Sequence, residues 1–329
     1  MRFLVVGTGS IGQRHARNLR ALGHDVLVFD SDAGRLRVAA DIPGCLPVGG
    51  LAAGLEQCPD GVLVCTPPAA HLDIARDAIL AGAHVFVEKP IAESPVGVEE
   101  VLALAQEHRR IVLVGCNLRF FRSLLRVKGF LDQGRVGRIL SARADCGFYL
   151  PSWRPGRDYR QTYSARASEG GGILLDAIHE FDYLRWLLGE VAEVFCVAGR
   201  WSDLAIDVED LAEVSLRFAS GTLAQLHLDY LRRSYTRSCE FIGEDGVIVW
   251  DYIARTVTLY HGEPDRWGGY REPIDDNHGE MFVEEMRHFV RCVSGEDQPL
   301  VDGAEGLQVL RIVEAAKASA GKRQWVSLG

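Results

Sequence analysis

The sequence lacks the features that mark membrane and nucleic-acid-binding proteins. No apolar run approaches the about 18–20 residues that a membrane-spanning helix requires, and the first residues show no signal-peptide pattern. Basic residues are in deficit, since 36 Lys and Arg stand against 45 Asp and Glu, a formal net charge of −9. Nucleic acid is therefore not favoured as a partner, because phosphate backbones are bound by dense positive charge. We expect a cytoplasmic protein that binds neither a membrane nor a nucleic acid.

Paired cysteines are also lacking. The eight cysteines include no C-x-x-C motif, and no histidine lies at metal-ligand spacing from them. Several lie in apolar segments, such as Cys65 and Cys116, where a thiol behaves as a small apolar side chain. The sequence therefore predicts reduced, buried cysteines and no metal site.

The first 116 residues alternate short strand-like runs with longer amphipathic runs, such as Ile11–Leu22 and Ala69–Ala81. Strands that alternate with helices form a parallel sheet, because parallel neighbours need a crossover connection. The carboxyl ends of such strands share one edge of the sheet, where ligands bind. The strand-like runs are Phe3–Val6, Val26–Phe29, Val62–Cys65, His84–Val87 and Ile111–Gly115.

The pattern changes after residue 120, where several strand-like runs follow one another and indicate an antiparallel meander. We predict an α/β fold with a doubly wound parallel-sheet domain over 1–118. An α+β domain with a mostly antiparallel open sheet follows over 119–329. Its predicted elements are a helix at about 121–132, a strand at 139–149, a polar loop at 151–168, a helix from Gly170-Gly171-Gly172 to about Leu188, strands at 191–199, 208–218, 222–231, 236–242, 246–251 and 255–260, and helices at roughly 279–294 and 303–320.

A glycine-rich segment, Gly7-Thr8-Gly9-Ser10-Ile11-Gly12, joins the first predicted strand to the first predicted helix. Gly7 allows a tight turn, Gly9 lets the backbone approach a pyrophosphate, and Gly12 permits close helix–strand packing. The amide groups at the helix start form an anion site. This context predicts the dinucleotide-binding turn of a Rossmann domain, including contacts from Ser10 and Ile11.

Asp30 ends the second predicted strand. A carboxylate at this place accepts hydrogen bonds from both ribose hydroxyls of NAD and repels the 2′-phosphate of NADP. NAD is therefore the predicted cofactor and NADP the less favoured one, although nearby Arg35 complicates the choice. The alternative is a glycine turn in an α/β protein that binds no nucleotide, with Asp30 as a helix cap.

Two further segments follow predicted strands, and together with the glycine turn they resemble one family. The chain is similar over essentially its whole length to the glucose–fructose oxidoreductase, inositol dehydrogenase and rhizopine-catabolism family, written Gfo/Idh/MocA. The motifs that carry the resemblance are G-T-G-S-I-G at Gly7, C-T-P-P-A-A-H at Cys65, A-G-A-H-V-F-V-E-K-P ending at Pro90, G-C-N-L-R-F at Gly115 and G-G-G-I-L-L-D-A-I-H-E-F-D-Y-L at Gly170.

The resemblance implies NAD(P)-dependent hydride transfer at a secondary carbinol of a sugar, inositol, nucleotide sugar or sugar acid. It implies that Lys89 binds the reacting hydroxyl and relays its proton, while Asp176 and His179 complete the catalytic group. His179 is the expected general base, since a carbinol must lose a proton as it loses hydride. The common D-x-x-x-H spacing is one residue shorter here, so either Asp176 or His179 is the acceptor. Glu180 is a weaker candidate at the four-residue spacing.

The resemblance also assigns the cofactor's nicotinamide half and part of the substrate site. Asn117 and Arg119 occupy the strand-to-domain junction and are expected to contact the cofactor or the substrate, with Arg119 on the substrate side. The remaining expected cofactor contacts are Thr66, Pro67, His71, Glu88 and Lys89.

Each of these residues also has an ordinary structural interpretation. Lys89 alone is equally compatible with a surface lysine, and His179 with a histidine bonded to a backbone carbonyl. His15 resembles a family residue, but a packing or solvent-facing role is the preferred interpretation. At the level of function, the alternatives are a non-catalytic dinucleotide-binding sensor or regulator of the same fold and an imine or biliverdin-type reductase.

The loop before the predicted catalytic helix combines aromatic residues, which stack on sugar rings, with arginines, which bind carboxylates and phosphates. An anionic sugar derivative is therefore one hypothesis for the substrate. The equal alternative is an ordered loop in which arginines pair with local carboxylates such as Asp158 and Glu169. The predicted substrate contacts here are Trp153, Arg154, Arg157 and Tyr163, together with His179.

The second predicted sheet has helices for only one of its faces. Leu223–Leu231 alternates apolar residues with Gln225, His227 and Asp229, which leaves a partly apolar face. Such a face tends to pair with its own copy. We expect a homodimer or homotetramer through this sheet, in agreement with the family resemblance.

Overall fold

The computed structural model describes residues 1–263, 266–273 and 277–328. The chain divides into two compact units, one formed by Met1–Asn117 with Gly279–Leu310 and the other by Leu118–His278 with Arg311–Gly329. In the described part of the chain, no helix combines the length and the apolar character that crossing a membrane demands.

The secondary structure elements follow in chain order. The strands are β1 Arg2–Val6, β2 Asp25–Phe29, β3 Cys45–Pro47, β4 Gly61–Val64, β5 His84–Glu88, β6 Val112–Gly115, β7 Ile139–Gly147, β8 Val191–Gly199, β9 Leu211–Phe218, β10 Leu223–Asp229, β11 Thr236–Gly243, β12 Gly246–Asp251, β13 Thr256–Glu263, β14 Arg266–Pro273 and β15 Val326–Ser327. The helices are α1 Ser10–Ala21, α2 Ala33–Ala40, α3 Leu51–Leu55, α4 His71–Leu80, α5 Val98–Glu107, α6 Arg122–Asp132, α7 Leu150–Trp153, α8 Ile173–Asp176, α9 Ile178–Leu188, α10 Glu280–Val293 and α11 Gly303–Lys322.

The first unit contains the predicted parallel sheet, with strand order β3-β2-β1-β4-β5-β6. Its central strand β4 is apolar throughout and fully buried, as expected where helices cover both faces. The strand order reverses beside β1 and β4, and this switch point is where ligands bind in such sheets. Neither β3 nor α2 was predicted. For β3 the reason is its composition and length, because a three-residue strand that contains Pro47 gives almost no periodic signal.

The segment 279–310 belongs to the first unit, although the predicted second domain includes it. Phe289 of α10 packs in the core of the parallel-sheet unit, with its ring centroid 5.9 Å from that of Phe3 and 5.6 Å from that of Phe86. These aromatic contacts bury a large apolar area. The chain therefore returns to its first unit after the second sheet.

The second unit contains a nine-stranded sheet with the order β14-β13-β12-β11-β7-β10-β9-β8-β15. The sheet is mostly antiparallel as predicted, and β7 and β10 form a parallel pair. The predicted meander is wrong at this point, because β7 lies between β10 and β11. The inward residues Ala142, Ala144 and Cys146 of β7 are buried, which suits a central position.

The helix predicted from Gly170–Gly172 to Leu188 is broken at Ala177. Its backbone angles, φ −92° and ψ 27°, leave the helical region, and the amide of Glu180 bonds the Ala177 carbonyl in a tight turn. Asp176 therefore ends α8, while His179 lies in the first turn of α9. The two residues therefore lie on separate helices, and not on the single helix that the sequence predicts.

Candidate active site

The glycine turn has the geometry that the dinucleotide motif requires. Gly7 has φ +89°, and a Cβ there would lie 2.6 Å from the carbonyl carbon of Cys65. A Cβ on Gly12 would lie 1.9 Å from the Gly7 carbonyl oxygen. Gly9, by contrast, has no heavy atom of the described part of the chain within 4 Å of its would-be Cβ. Protein packing thus demands glycine at two positions and leaves open space at the third.

That open space lies at the start of α1. Gly9 is the N-cap residue and makes no side-chain capping bond, and Ser10 is exposed. The first amide groups of an uncapped helix attract anions through their hydrogen atoms and the helix dipole. The residues present therefore fit a dinucleotide pyrophosphate, with Gly9, Ser10 and Ile11 as its proposed contacts.

Asp30 is held rigidly at the end of β2. Its carboxylate accepts hydrogen bonds from the Thr8 amide at 2.7 Å, from the Asp32 amide at 2.8 Å and from the Arg35 Nε at 3.1 Å. Burial opposes ionisation, but the bonds from Asp32, Arg35 and Thr8 outweigh it and lower the pKa of Asp30. The ionised carboxylate suits ribose hydroxyls, and its ion pair occupies the Arg35 guanidinium.

His71 is buried and lies between the ends of β4 and β5. Its Nδ1 lies 2.9 Å from the Pro90 carbonyl oxygen and its Nε2 lies 2.9 Å from the Thr66 carbonyl oxygen. Burial lowers the pKa of His71, and the side chain is only 1% exposed. These two contacts connect the segments that follow β4 and β5. Pro67 in the same segment is exposed.

Glu88 and Lys89 follow each other at the carboxyl end of β5. The Glu88 carboxylate lies 2.7 Å from Nε2 of His15, which is fully buried on α1. His15 is therefore a packing residue, as preferred from the sequence, and it also bonds directly to Glu88, a predicted cofactor contact. Glu285 of α10 offers a third group, and one potential ligand atom from each of the three residues lies within 4.8 Å of the others.

The two predicted junction residues differ in their surroundings. Asn117 is buried, and its side-chain amide donates to the Met281 sulfur at 3.3 Å. Arg119 is 2% exposed, and its guanidinium forms an ion pair with Asp182 at 2.7 Å. Because a buried ion pair is costly to separate, we do not propose Arg119 as a substrate ligand.

Asp176 is the acceptor for two tyrosines of the second unit. The Tyr163 hydroxyl donates to Oδ1 at 2.8 Å, and the Tyr230 hydroxyl donates to Oδ2 at 3.0 Å. Burial and the Asp176 charge raise the pKa of Tyr230 well above its usual range, so this hydroxyl keeps its proton. Two donated bonds stabilise the ionised form of the carboxylate.

His179 is nearly buried, with 6% exposure, in the first turn of α9. The neighbouring Glu180 is fully buried, and its carboxylate lies 2.8 Å from Nε of Arg237. Arg237 thus neutralises the alternative carboxylate in the D-x-x-H segment. A carboxylate that is paired with a guanidinium favours its ionised form, so Glu180 is a poor proton acceptor despite its four-residue spacing from Asp176.

The loop residues divide between the two hypotheses for the loop. Arg160 pairs with Asp158 and Arg166 with Glu169, as the local-pairing alternative predicts. Arg154 instead lies over the ring of Tyr163, 4.9 Å from its centroid. Trp153 is 39% exposed and stacks on Phe148 at 4.2 Å. Arg157 is exposed.

Comparison with known proteins identifies the family of this chain. The "Oxidoreductase family, NAD-binding Rossmann fold" model of GFO/IDH/MocA matches residues 1–116, and the "GFO/IDH/MocA C-terminal domain" model matches residues 124–249. The Myo-inositol 2-dehydrogenase of Thermotoga maritima is 31% identical and covers 100% of this chain and 98% of its own length. This chain belongs to the GFO/IDH/MocA oxidoreductase family.

Solved structures of two dehydrogenases show the same fold. A levoglucosan dehydrogenase in complex with NADH has a TM-score of 0.91 at 22% identity and covers 100% of this chain and 99% of its own. The WlbA dehydrogenase from Bordetella pertussis, in complex with NADH and UDP-GlcNAcA, has a TM-score of 0.84 at 25% identity and covers 100% and 99%. The amino-terminal domain of this oxidoreductase is thus an NAD-binding Rossmann domain.

Sequence reasoning missed Tyr230 and Glu285, although each leaves a signal. Tyr230 continues the inward alternation of Ala224, Leu226 and Leu228 on β10, so its hydroxyl enters the interior. Glu285 interrupts the apolar stripe of α10, which includes Met281 and Phe289. A polar group on a buried face needs a partner or an explanation.

Proposed function

We propose that this oxidoreductase transfers hydride between NAD and a secondary carbinol of a sugar, inositol, nucleotide sugar or sugar acid. NAD, when bound, supplies the hydride acceptor or donor. The observation that carries the proposal is that Asp176 accepts hydrogen bonds from two tyrosine hydroxyls. It supports separate roles for Asp176, His179 and Lys89. A nicotinamide reaction at a carbinol needs both a proton acceptor and a group that stabilises the alkoxide.

In the proposed mechanism His179 accepts the carbinol proton and Lys89 binds the reacting oxygen. Asp176 is a poor proton acceptor, since Tyr163 and Tyr230 already stabilise its ionised form. In this mechanism the negative charge of Asp176 instead favours the protonated form of the base, His179. The Lys89 ammonium stabilises the negative charge that develops on the carbinol oxygen.

The non-catalytic sensor remains the second candidate function from a different class. A sensor needs the glycine turn and Asp30 but has no use for proton-transfer groups. This chain retains Lys89, Asp176 and His179, and this feature favours the enzyme. The imine or biliverdin-type reductase is a further alternative, and it predicts that no polyol is oxidised.

The substrate proposal is tested by absorbance of reduced cofactor with a panel of inositols, neutral sugars, sugar acids and nucleotide sugars. We expect an anionic member to be preferred because Arg154 is placed beside Tyr163. The Arg154→Ala variant should then raise KM by about 10–100-fold, the effect of losing a charge-assisted bond. Arg160→Ala is the matched control, since Arg160 pairs with Asp158. Equal kinetics in Arg154→Ala and the control would contradict the anionic substrate.

We also propose that copies of this chain associate through the outer face of the second sheet. The exposed apolar side chains on this face support the proposal, since such patches favour association. Sedimentation should show a dimer or tetramer, and Leu223→Glu should produce monomers; a wild-type monomer at micromolar concentration would contradict it. The side chains are Val197, Leu223, Ile242 and Tyr260.

The compartment proposed for the protein is the cytoplasm. The eight cysteines, all within the described residues, form no disulfide, and all but Cys58 are buried. Thiols that remain reduced in this number are typical of a reducing compartment.

A further inference from the structure

A cluster of three titratable side chains lies inside the first unit. His15 of α1 and Glu285 of α10 are fully buried, and the Glu88 side chain at the end of β5 is 12% exposed. The Nε2 of His15 lies 2.7 Å from Oε1 of Glu88. One ligand-type atom from each of the three residues lies within 4.8 Å of the others.

Glu285 has unusual surroundings for a glutamate. Both of its carboxyl oxygens are buried and, among residues 1–263, 266–273 and 277–328, neither these oxygens nor Nδ1 of His15 has a hydrogen-bond partner. Aromatic rings surround the cluster, since Phe86 packs edge-on against His15 at 5.2 Å and against Phe289 at 5.6 Å. An ionised carboxylate here would lose its hydration with no donor to replace it, and Glu88 would repel it.

We propose that His15, Glu88 and Glu285 form a proton-sharing cluster in which Glu285 is a neutral carboxylic acid and positions the carboxylate of Glu88. The two glutamates then carry one negative charge between them. Burial and the neighbouring Glu88 charge raise the pKa of Glu285 well above its usual range.

The short His15–Glu88 distance favours a proton over a metal ion. Two ligands of one tetrahedral ion, each about 2.0–2.1 Å from it, lie roughly 3.3 Å apart. The 2.7 Å separation of Nε2 and Oε1 is instead a hydrogen-bond distance. Among the described groups near the cluster, the Cys65 thiol stays neutral because burial raises its pKa, and the Arg14 guanidinium lies over Phe282, 4.4 Å from its ring centroid.

The cluster bears on catalysis through the chain itself. Glu88 directly precedes Lys89, so a fixed Glu88 side chain restricts the segment that carries the proposed alkoxide-stabilising group. This part of the inference rests on the proposed function. The protonation state of Glu285 does not, and it is measurable in the cofactor-free protein.

The test compares melting temperatures of wild type, Glu285→Gln and the matched control Glu284→Gln between pH 6 and pH 9. Glu284 neighbours Glu285 on α10 but is partly exposed beside Arg287. A carboxyl whose folded pKa exceeds its unfolded value of 4.5 loses its stabilising contribution as pH rises between the two values. Wild type should therefore fall relative to Glu285→Gln by about 3 °C per pH unit, while its difference from Glu284→Gln stays constant.

A Glu285→Gln variant that is destabilised equally at every pH would show that Glu285 is ionised and would overturn the proposal. A wild-type melting temperature that falls with a chelator and recovers with zinc would assign a metal site instead. Should Glu285→Gln fail to fold, the infrared band of a protonated carboxyl group in wild type at pH 7, absent at high pH, decides the same point.

Calorimetry with NAD separates the two parts of the inference. We expect Glu285→Gln to retain a folded state yet lose the fall in NAD affinity and kcat that ionisation of Glu285 causes in wild type at high pH, while the rise in kcat assigned to His179 remains and Glu284→Gln is unchanged. Unaltered NAD affinity and pH profiles in Glu285→Gln would overturn the positioning role. Failure of wild type to bind NAD would contradict the proposed function, while the melting curves would still decide the state of Glu285.

Discussion

Replacing Lys89 with methionine is expected to lower kcat by about 10³-fold, the usual range for a proton-transfer or alkoxide-stabilising group. Methionine keeps most of the side-chain volume but removes the charge and the donors. NAD affinity should change little, because the glycine turn and Asp30 hold the other half of the cofactor. Steady-state kinetics with the best substrate, together with NAD titration, check both expectations.

The matched control for this variant is Lys128→Met. Lys128 is one of only four lysines and pairs with Asp132 one helical turn away on α6. Its loss should leave kcat within twofold of wild type, since an exposed pair of this kind contributes little. Equal kcat in Lys89→Met and Lys128→Met would remove Lys89 from the mechanism.

Replacing His179 with glutamine is expected to lower kcat by about 10²–10⁴-fold, the range for a lost general base. In wild type kcat should rise with pH as His179 releases its proton, and this limb of the pH profile should disappear in His179→Gln. The profile matters because a merely structural histidine would lower the rate without changing the shape of its pH dependence.

Asp176→Asn distinguishes the two possible proton acceptors. If His179 is the base, Asp176→Asn lowers kcat but retains the limb of the pH profile in which kcat rises with pH. The reason is that the amide disturbs only the bonds from Tyr163 and Tyr230. His261→Gln, at an exposed position on β13, is the control for histidine replacement. Loss of the limb in Asp176→Asn with its retention in His179→Gln would reverse the assignment.

The first half of the fold was predictable because its signals are local. A strand, a glycine turn and a helix follow one another within residues 2–21, and the two positions that require glycine, Gly7 and Gly12, are set by backbone distances. The strand order of the second sheet was not predictable, since β7 pairs with strands far along the chain. Hydrophobic alternation fixes which face is buried but not which strands are neighbours.

The candidate site likewise contains residues that the sequence could identify and residues that it could not. Asp30 and Lys89 lie next to strand ends and could be named from position alone. Glu285, which clusters with Glu88, lies 197 residues later in the chain (285 − 88), and one of the two hydroxyls that donate to Asp176 belongs to Tyr230, directly after β10. Side chains brought together over such distances are set by tertiary packing, which no local pattern encodes.

Titration calorimetry of NAD and NADP with wild type and Asp30→Ala tests the central claim most directly. Wild type should bind NAD in preference to NADP, because the Asp30 carboxylate accepts from ribose hydroxyls and repels a 2′-phosphate. The variant should lose most NAD affinity and gain affinity for NADP, since Arg35 is released from its ion pair with Asp30. Absence of binding of either cofactor to wild type would contradict both the dinucleotide site and the catalysis built on it.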